Sequence, residues 1–244
     1  ELAIGLFREM RVVRLEPDTI SHNSVISACE KAGLWRLALK LLAEMLTVSK
    51  DPNTISHNAA ISACAKAARW HLALSLMAAM RTVSLDLVAT SCNAAISACE
   101  KGREWRLALG LLATMQSASL VPDAIGYSAA ISACEKASQW QLALGLLVEM
   151  PVVGLLPNTI SYSAAISACK EAARWHLGLG LLAVMPTASL RPNAISYNAA
   201  ISTCEKAGEA AQWCLALELL ARMPAVGLDP ETVSYGAAIS ACEK

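Results

Sequence analysis

The chain has 244 residues, is 55% apolar and 16% charged, and carries a formal net charge of zero. This apolar content excludes a disordered chain, and the charge balance argues against nucleic-acid binding driven by bulk charge. Every apolar stretch of 18 residues is broken by a charge, a proline or several polar residues, so no membrane span is predicted.

The string Ile26-Ser27-Ala28-Cys29-Glu30-Lys31 returns, with small changes, at residues 61, 96, 131, 166, 201 and 239. The step is 35 residues until the last, which is 38. A fixed period of this size marks a repeat array, in which each unit buries its apolar face only by stacking on its neighbours. A modular binding surface is therefore expected rather than one enclosed active site.

Position 1 of each repeat is taken as the residue after the Pro-Asn or Pro-Asp pair. Residues 1–18 then read as the second helix of a truncated repeat, followed by whole repeats at 19–53, 54–88, 89–123, 124–158 and 159–193. The sixth, 194–231, carries three extra residues around Gly208-Glu209-Ala210, at the turn between its helices, where an insertion is best tolerated. Residues 232–244 read as the first helix of a further truncated repeat. No polar cap is visible at either end, so both end helices are expected to expose apolar surface. The first residue is Glu, so a longer parent protein is expected, with any targeting peptide or catalytic domain outside this sequence.

Repeat 4 illustrates the internal plan. Ile125, Ala129, Ala130, Ile131, Ala133 and Cys134 have helical spacing over 125–137, and Ala137-Ser138-Gln139 is a short turn. Trp140, Ala143, Leu147 and Met150 form the apolar stripe of a second helix, which Pro151 and Gly154 are expected to stop. No segment reads as a strand. The predicted fold is all-α, a right-handed superhelical solenoid of stacked helix-turn-helix units.

Seven of the nine cysteines fall at position 11, one period apart rather than in a CxxC pair, so they read as small buried thiols and not as zinc ligands. Cys92 and Cys214 are off-register. Disulfides are not expected, and a reducing compartment is the natural context. The histidines are repeat variation: His22 and His57 at position 4, where Tyr127, Tyr162, Tyr197 and Tyr235 stand elsewhere, and His71 and His176 at position 18. No catalytic triad, metal cluster, Gly-rich phosphate loop or deaminase signature is present, so no enzyme activity and no cofactor is predicted.

Several further marks recur in register: Tyr-Asn or Tyr-Ser early in the first helix, Lys at 13, Ala-Leu in the second helix, Met at 27 and Pro-Asp or Pro-Asn at the end. Repeat 6 shows them in Tyr197-Asn198, Lys206, Leu215-Ala216-Leu217, Met223 and Pro230. The chain resembles pentatricopeptide repeat proteins over its whole length. Trp at position 17 and the apolar second helix depart from the family pattern. The W-x2-L-G-x2-Y signature of the tetratricopeptide array, which has a 34-residue period, is absent.

The resemblance implies sequence-specific binding of single-stranded RNA, one base per repeat. It implies base reading by positions 5 and 35: Asn23 with Asn53, Asn93 with Asp123, Ser128 with Asn158 and Ser163 with Asn193, while Asn58 beside Val88 and Asn198 beside Glu231 are irregular and give only a weak pyrimidine lean. It implies base sandwiching by position 2, at Ile20, Ile55, Ile125, Ile160, Ile195 and Val233, with Thr90 the exception. It implies phosphate contact by position 13, at Lys31, Lys66, Lys101, Lys136, Lys206 and Lys244, weakened in repeat 5 where the order is Lys170-Glu171.

Each position also has a plain structural reading. Asn or Asp at 35 is a good N-cap, Lys at 13 suits a helix C-terminus, and Ile at 2 could pack between units. Recurrence of all four in one register favours the functional reading. In the family Asn with Asp favours U, Asn with Asn favours C over U, and Ser with Asn favours A, which gives 5′-YYUAAY-3′. The Lys column is expected to line one groove while Glu30, Glu100, Glu135 and Glu205 face elsewhere. The resemblance further implies a role in organellar RNA processing, stability, editing or translation, in a mitochondrion or plastid, with RNA-processing enzymes as further partners. No membrane or small-molecule partner is expected. The alternative is a helical scaffold for a protein or peptide.

Overall fold

The computed structural model describes residues 2–48, 50–207 and 212–243. Among these the chain forms 14 helices and no strand. The first helices of the repeats are α2 (Thr19–Lys31), α4 (Thr54–Lys66), α6 (Ala89–Gly102), α8 (Ala124–Lys136), α10 (Thr159–Glu171), α12 (Ala194–Ala207) and α14 (Thr232–Glu243). The second helices are α1 (Leu2–Val12), α3 (Trp35–Thr47), α5 (Trp70–Thr82), α7 (Trp105–Ser117), α9 (Trp140–Val152), α11 (Trp175–Val184) and α13 (Gln212–Ala225). The insertion at Gly208-Glu209-Ala210 lies outside the described residues.

Two compact units divide the chain, 1–126 and 127–244. In the first, α2, α4 and α6 pack in a row, and α3 and α5 each touch both their own first helix and the next. In the second, α10, α12 and α14 form the row, with α11 and α13 bridging in the same way. First helices therefore meet neighbours on several sides, and small residues let them approach. Ala60, Ile61, Ala63 and Cys64 are all 0% exposed, and so are Ala165, Ile166, Ala168 and Cys169. The core is thus a ladder of Ile at position 8, Cys at 11 and Met at 27. Met45, Met80, Met115, Met150, Met185 and Met223 are fully buried. Each buried Ile or Met contributes about 1.5–3 kcal/mol relative to exposure.

The ladder ends at α14. Cys242 there is exposed, and Ile239 is 68% exposed, against full burial of Ile at position 8 in the whole repeats. The expectation of a buried thiol at every position 11 therefore fails at Cys242, which lies on α14, the last described helix, with no second helix of its own repeat packed over it among the described residues. Off-register Cys92 is buried at position 4, and Cys214 is exposed. Val233 and Tyr235 on α14, and Leu2 and Leu6 on α1, are exposed as well.

Left-handed residues close the helices at two fixed places. Position 15 has φ from +51° to +70° at Gly33, Ala68, Arg103, Ser138 and Ala173, and position 31 is left-handed at Ser84, Ser119, Gly154, Ser189 and Gly227. Each lets the next amide reach back to the carbonyl five residues earlier, as Arg69 N donates to Cys64 O at 2.9 Å and Leu155 N to Met150 O at 2.8 Å. Pro151 does not stop α9. The helix runs on to Val152, Val153 N still donates to Glu149 O at 3.1 Å, and the turn comes at Gly154, φ +80°.

Second helices start without a side-chain cap at Leu34, Arg69, Glu104, Gln139 and Arg174. The position-17 tryptophans anchor these starts. Trp35 lies under both Arg36 and Arg69, at 5.0 and 5.1 Å, Trp105 under Arg106 at 4.7 Å, and Trp140 under Arg174 at 5.3 Å. No described helix is long and apolar enough to cross a membrane.

Candidate nucleic-acid interface

Position 2 lies one residue inside the first helix, where the side chain faces away from the row. Ile20, Ile55, Ile125, Ile160, Ile195 and Val233 are 61–73% exposed, which rules out the expectation that they pack between units. Leaving them in water forgoes most of the burial energy an Ile can supply. Thr90, the exception in sequence, is exposed too.

Position 35 caps the next helix. Asp18 accepts from Ser21 N at 2.8 Å, Asn53 from Ser56 N at 3.1 Å, Asn158 from Ser161 N at 2.9 Å and Asn193 from Ser196 N at 2.9 Å. Asp123 takes both Ile125 N and Gly126 N at 2.9 Å. Val88 makes no side-chain cap, and Glu231 is exposed. The bonds from Ser21 hold the Asp18 carboxyl below the ordinary carboxylate range.

The cap does not use up the residue. Asn23 Nδ2 donates to Asn53 Oδ1 at 3.3 Å, and Ser128 Oγ donates to Asn158 Oδ1 at 3.4 Å. In repeats 1 and 4, positions 5 and 35 thus meet through the amide that also starts the next helix. In repeat 2, with Val88 at 35, Asn58 Nδ2 turns instead to Thr90 Oγ1 at 3.4 Å. The two sequence exceptions compensate each other there. Position 5 is half-buried at Asn23, Asn58 and Asn198 and buried at Asn93, Ser128 and Ser163.

A fourth residue, which sequence reasoning missed, joins this set. Position 3 is Ser in every repeat but the fourth, and in repeats 2, 3 and 6 its hydroxyl meets position 5 of the repeat before. Ser56 Oγ donates to Asn23 Oδ1 at 2.5 Å, Ser91 Oγ donates to Asn58 Oδ1, and Ser196 Oγ lies 3.1 Å from Ser163 Oγ. Gly126 has no hydroxyl to offer, and Asn93 Oδ1 is buried without a partner. A Cβ placed on Gly126 would fall under 3.0 Å from that oxygen. Asn198 Oδ1 is also buried and unpartnered, while Ser234 Oγ accepts Glu231 N at 3.0 Å. The Ser that recurs at position 3 in all repeats but the fourth was the available signal.

Lys31, Lys66, Lys101, Lys136 and Lys206 are all exposed near the ends of their helices, whereas Lys244 lies outside the described residues. Lys66 Nζ pairs with Glu30 Oε1 at 3.0 Å, so Glu30 does not face elsewhere. Stacking brings position 13 of repeat 2 over position 12 of repeat 1. In repeat 5 the cation has moved to position 12, where Lys170 is half-buried.

Most position-4 rings of the whole repeats pack inward, whereas Tyr235 on α14 is exposed. His22 is 2% exposed, gives an edge to Phe7 at 5.0 Å and has Nδ1 2.9 Å from Asp18 O. Tyr127 is 1% exposed and donates to Glu149 at 2.8 Å. Burial pushes the thiols of Cys64, Cys99, Cys134 and Cys169 up to about 11, far from the reactive range. Among the described residues no three His, Cys, Asp or Glu gather to hold a metal ion.

A model of the PPR repeat family matches residues 17–66, and a model of the PPR repeat matches 55–84 and 90–120. A model of the pentatricopeptide repeat domain matches 110–172, 145–207 and 181–244, together more than half of the chain. No match was found among curated proteins.

Similar solved structures include the pentatricopeptide repeat protein PPR10 from maize, with 19% identity, a TM-score of 0.59, 98% of this chain covered and 43% of that one. PPR10 in complex with an 18-nt psaJ RNA element is 18% identical, with a TM-score of 0.60 over 98% of this chain and 39% of that one. The PPR domain of Arabidopsis thaliana protein-only RNase P 1 in complex with tRNA is 14% identical, with a TM-score of 0.62, over 75% of this chain and 95% of that one. This chain spans less than half the length of the PPR10 structures it matches. Repeat period, hairpin architecture and matched models agree: the chain belongs to the pentatricopeptide repeat family.

Proposed function

We propose that the chain binds single-stranded RNA, with each repeat presenting one polar pair to a base edge and one exposed aliphatic side chain to a base face. The observation that carries this reading is the meeting of positions 5 and 35 close in sequence to the exposed position-2 column. A base needs directional hydrogen-bond groups at its edge and apolar contact on its flat faces. Asn53 Oδ1 already takes the Ser56 and Asn23 donors, so the amide protons at positions 5 and 35 are the groups left for a base. Two amides offer donors to the acceptor-rich edge of C. The Asp123 carboxylate offers an acceptor to the N3–H of U.

The preferences follow as C or U for repeats 1 and 2, U for repeat 3, A for repeats 4 and 5, and a pyrimidine for repeat 6. The lysines at position 13 supply local cations for phosphates in a chain of zero net charge. That PPR10 and the RNase P 1 domain were solved with RNA supports the choice of ligand. A place in organellar RNA processing, stability, editing or translation, beside processing enzymes, follows from family membership and belongs to the same proposal. The chain's own part in it is recognition rather than catalysis.

The test is fluorescence anisotropy of the 244-residue chain with labelled RNA containing CUUAAC, at two salt concentrations. Competitors are CUUGGC, the same sequence as DNA, and duplex RNA. The expected result is preference for CUUAAC single strand, moved from A toward U at the fourth base by Ser128→Thr with Asn158→Asp. Equal binding of all competitors, or none by a folded helical chain, would refute it and turn attention to a protein or peptide ligand.

A further inference from the structure

The buried serines at position 3 do more than start helices. Ser56 Oγ accepts Asn53 N at 3.2 Å and meets Asn23 Oδ1 at 2.5 Å. A separation of 2.5 Å fits O–H···O and is too short for an amide N–H donor. The Asn23 amide is therefore held with its oxygen on the serine and its nitrogen toward Asn53. Asn58 is held the same way, oxygen on Ser91 and nitrogen toward Thr90. Ser91 makes this bond although Val88 offers no side-chain cap, so orientation of the amide is separable from capping.

We propose that the serine at position 3 is a positioning residue that fixes which end of the preceding repeat's position-5 amide faces a base. The proposal rests on the base-reading role given above. An amide without such a partner can turn by 180° and offer either a donor or an acceptor. Asn93, opposite Gly126, lacks the partner, and so does Asn198, whose Oδ1 is buried without a donor although Ser234 stands at position 3 of the next repeat. Repeats 3 and 6 are the loosely read positions, even though Asn93 with Asp123 is a regular pair by residue type. Base selectivity in this chain is set by three residues, with the third drawn from the next repeat.

Anisotropy against CUUAAC-containing RNAs carrying each base at the second and at the third place tests this. The wild-type chain should separate pyrimidine from purine more sharply at the second base than at the third. Gly126→Ser should raise third-base discrimination about 3- to 10-fold, the worth of one net hydrogen bond, and leave the second base unchanged. Ser91→Ala should cut second-base discrimination by a similar factor, and Ser91→Thr should restore it. Sharp third-base reading by the wild type, or second-base reading unchanged in Ser91→Ala, overturns the proposal.

A second readout needs no RNA. In the free chain, the Asn58 side-chain amide resonances should shift and broaden in Ser91→Ala. The Asn93 pair should sharpen in Gly126→Ser. Unchanged resonances in both overturn the positioning role. If instead the resonances respond as stated and no RNA binds, the base-reading role fails by itself.

Discussion

Replacing Gly126 with serine should stabilise the fold as well as alter recognition. Asn93 is 7% exposed, and its Oδ1 is buried without a donor. Such an oxygen costs about 1–3 kcal/mol relative to a bonded one. A serine there can donate to it as Ser56 donates to Asn23, and replacing a helical glycine adds about 0.5 kcal/mol from propensity. Against this, the new Cβ would lie under 3.0 Å from Asn93 Oδ1 in its present place. The obstacle is the end of a flexible side chain, and turning it aside costs about 0.5–1.5 kcal/mol if it leaves its rotamer. The net gain is about 1–2 kcal/mol. Urea unfolding followed by circular dichroism measures it, and amide exchange in α6 locates it. Ser91→Ala supplies the opposite sign by stripping Asn58 Oδ1 of its donor. A midpoint that stays within error of the wild type, or falls, would refute the idea that Asn93 lacks only a donor.

Further outcomes follow from the same geometry. Ala68, Arg103, Ser138 and Ala173 sit at φ between +51° and +61°. Each substitution to glycine should stabilise by about 0.5 kcal/mol, the strain relieved less the extra freedom of the unfolded glycine, and Gly33→Ala should do the reverse. Thermal melts of a four-site variant would sum the effect. With a thiol reagent at pH 8, Cys214 and Cys242 should react at once and the seven buried cysteines only on unfolding. Mass mapping after brief labelling decides this. Burial holds the thiols of Cys64, Cys99, Cys134 and Cys169 up to about 11, against about 9 for an ordinary thiol, so the folded state keeps their protons longer. Stability should thus be full below pH 9 and fall progressively as pH rises from 9 to 11. A flat stability profile across that range would contradict the burial of the cysteine ladder.

Much of the fold was legible because one pattern is written out many times. The 35-residue step, the Ile-Cys-Met ladder and the caps at position 35 all read directly as packed helical hairpins. Two alternatives that the sequence posed turned out to be compatible. Asn53 is a cap and also the partner of Asn23, because one carbonyl oxygen accepts from both.

Other features depend on contacts between repeats, which a single-repeat alignment hides. Thr90 looked like a lapse at position 2 until it stood beside Asn58, whose usual partner had become Val88. Register within one repeat predicts Glu30 facing away from the lysines, yet it meets Lys66 of the next repeat. The left-handed turns were invisible for another reason. Ala, Arg and Ser occupy places where glycine is the usual signal, since the backbone bonds to Cys and Met carbonyls enforce the turn whatever the side chain. Pro151 does not end α9, because it removes only its own hydrogen bond while Val153 N, behind it, still donates to Glu149 O.

The uniformity of the buried ladder has a consequence for how the chain reaches its fold. Ile61, Cys64 and Met80 present nearly the same surface as Ile166, Cys169 and Met185, so a helix gains almost nothing by choosing its own neighbour over a lookalike 105 residues away. Contact energy cannot tell correct from incorrect stacking, and chain connectivity alone enforces the order. Within one molecule the short linkers make that choice safe. Between two molecules no linker intervenes, and a hairpin of one copy can complete the ladder of another without penalty. Refolding yield should therefore be governed by protein concentration more than by temperature, with interlocked species of ordinary helicity accumulating as the solution becomes crowded with copies.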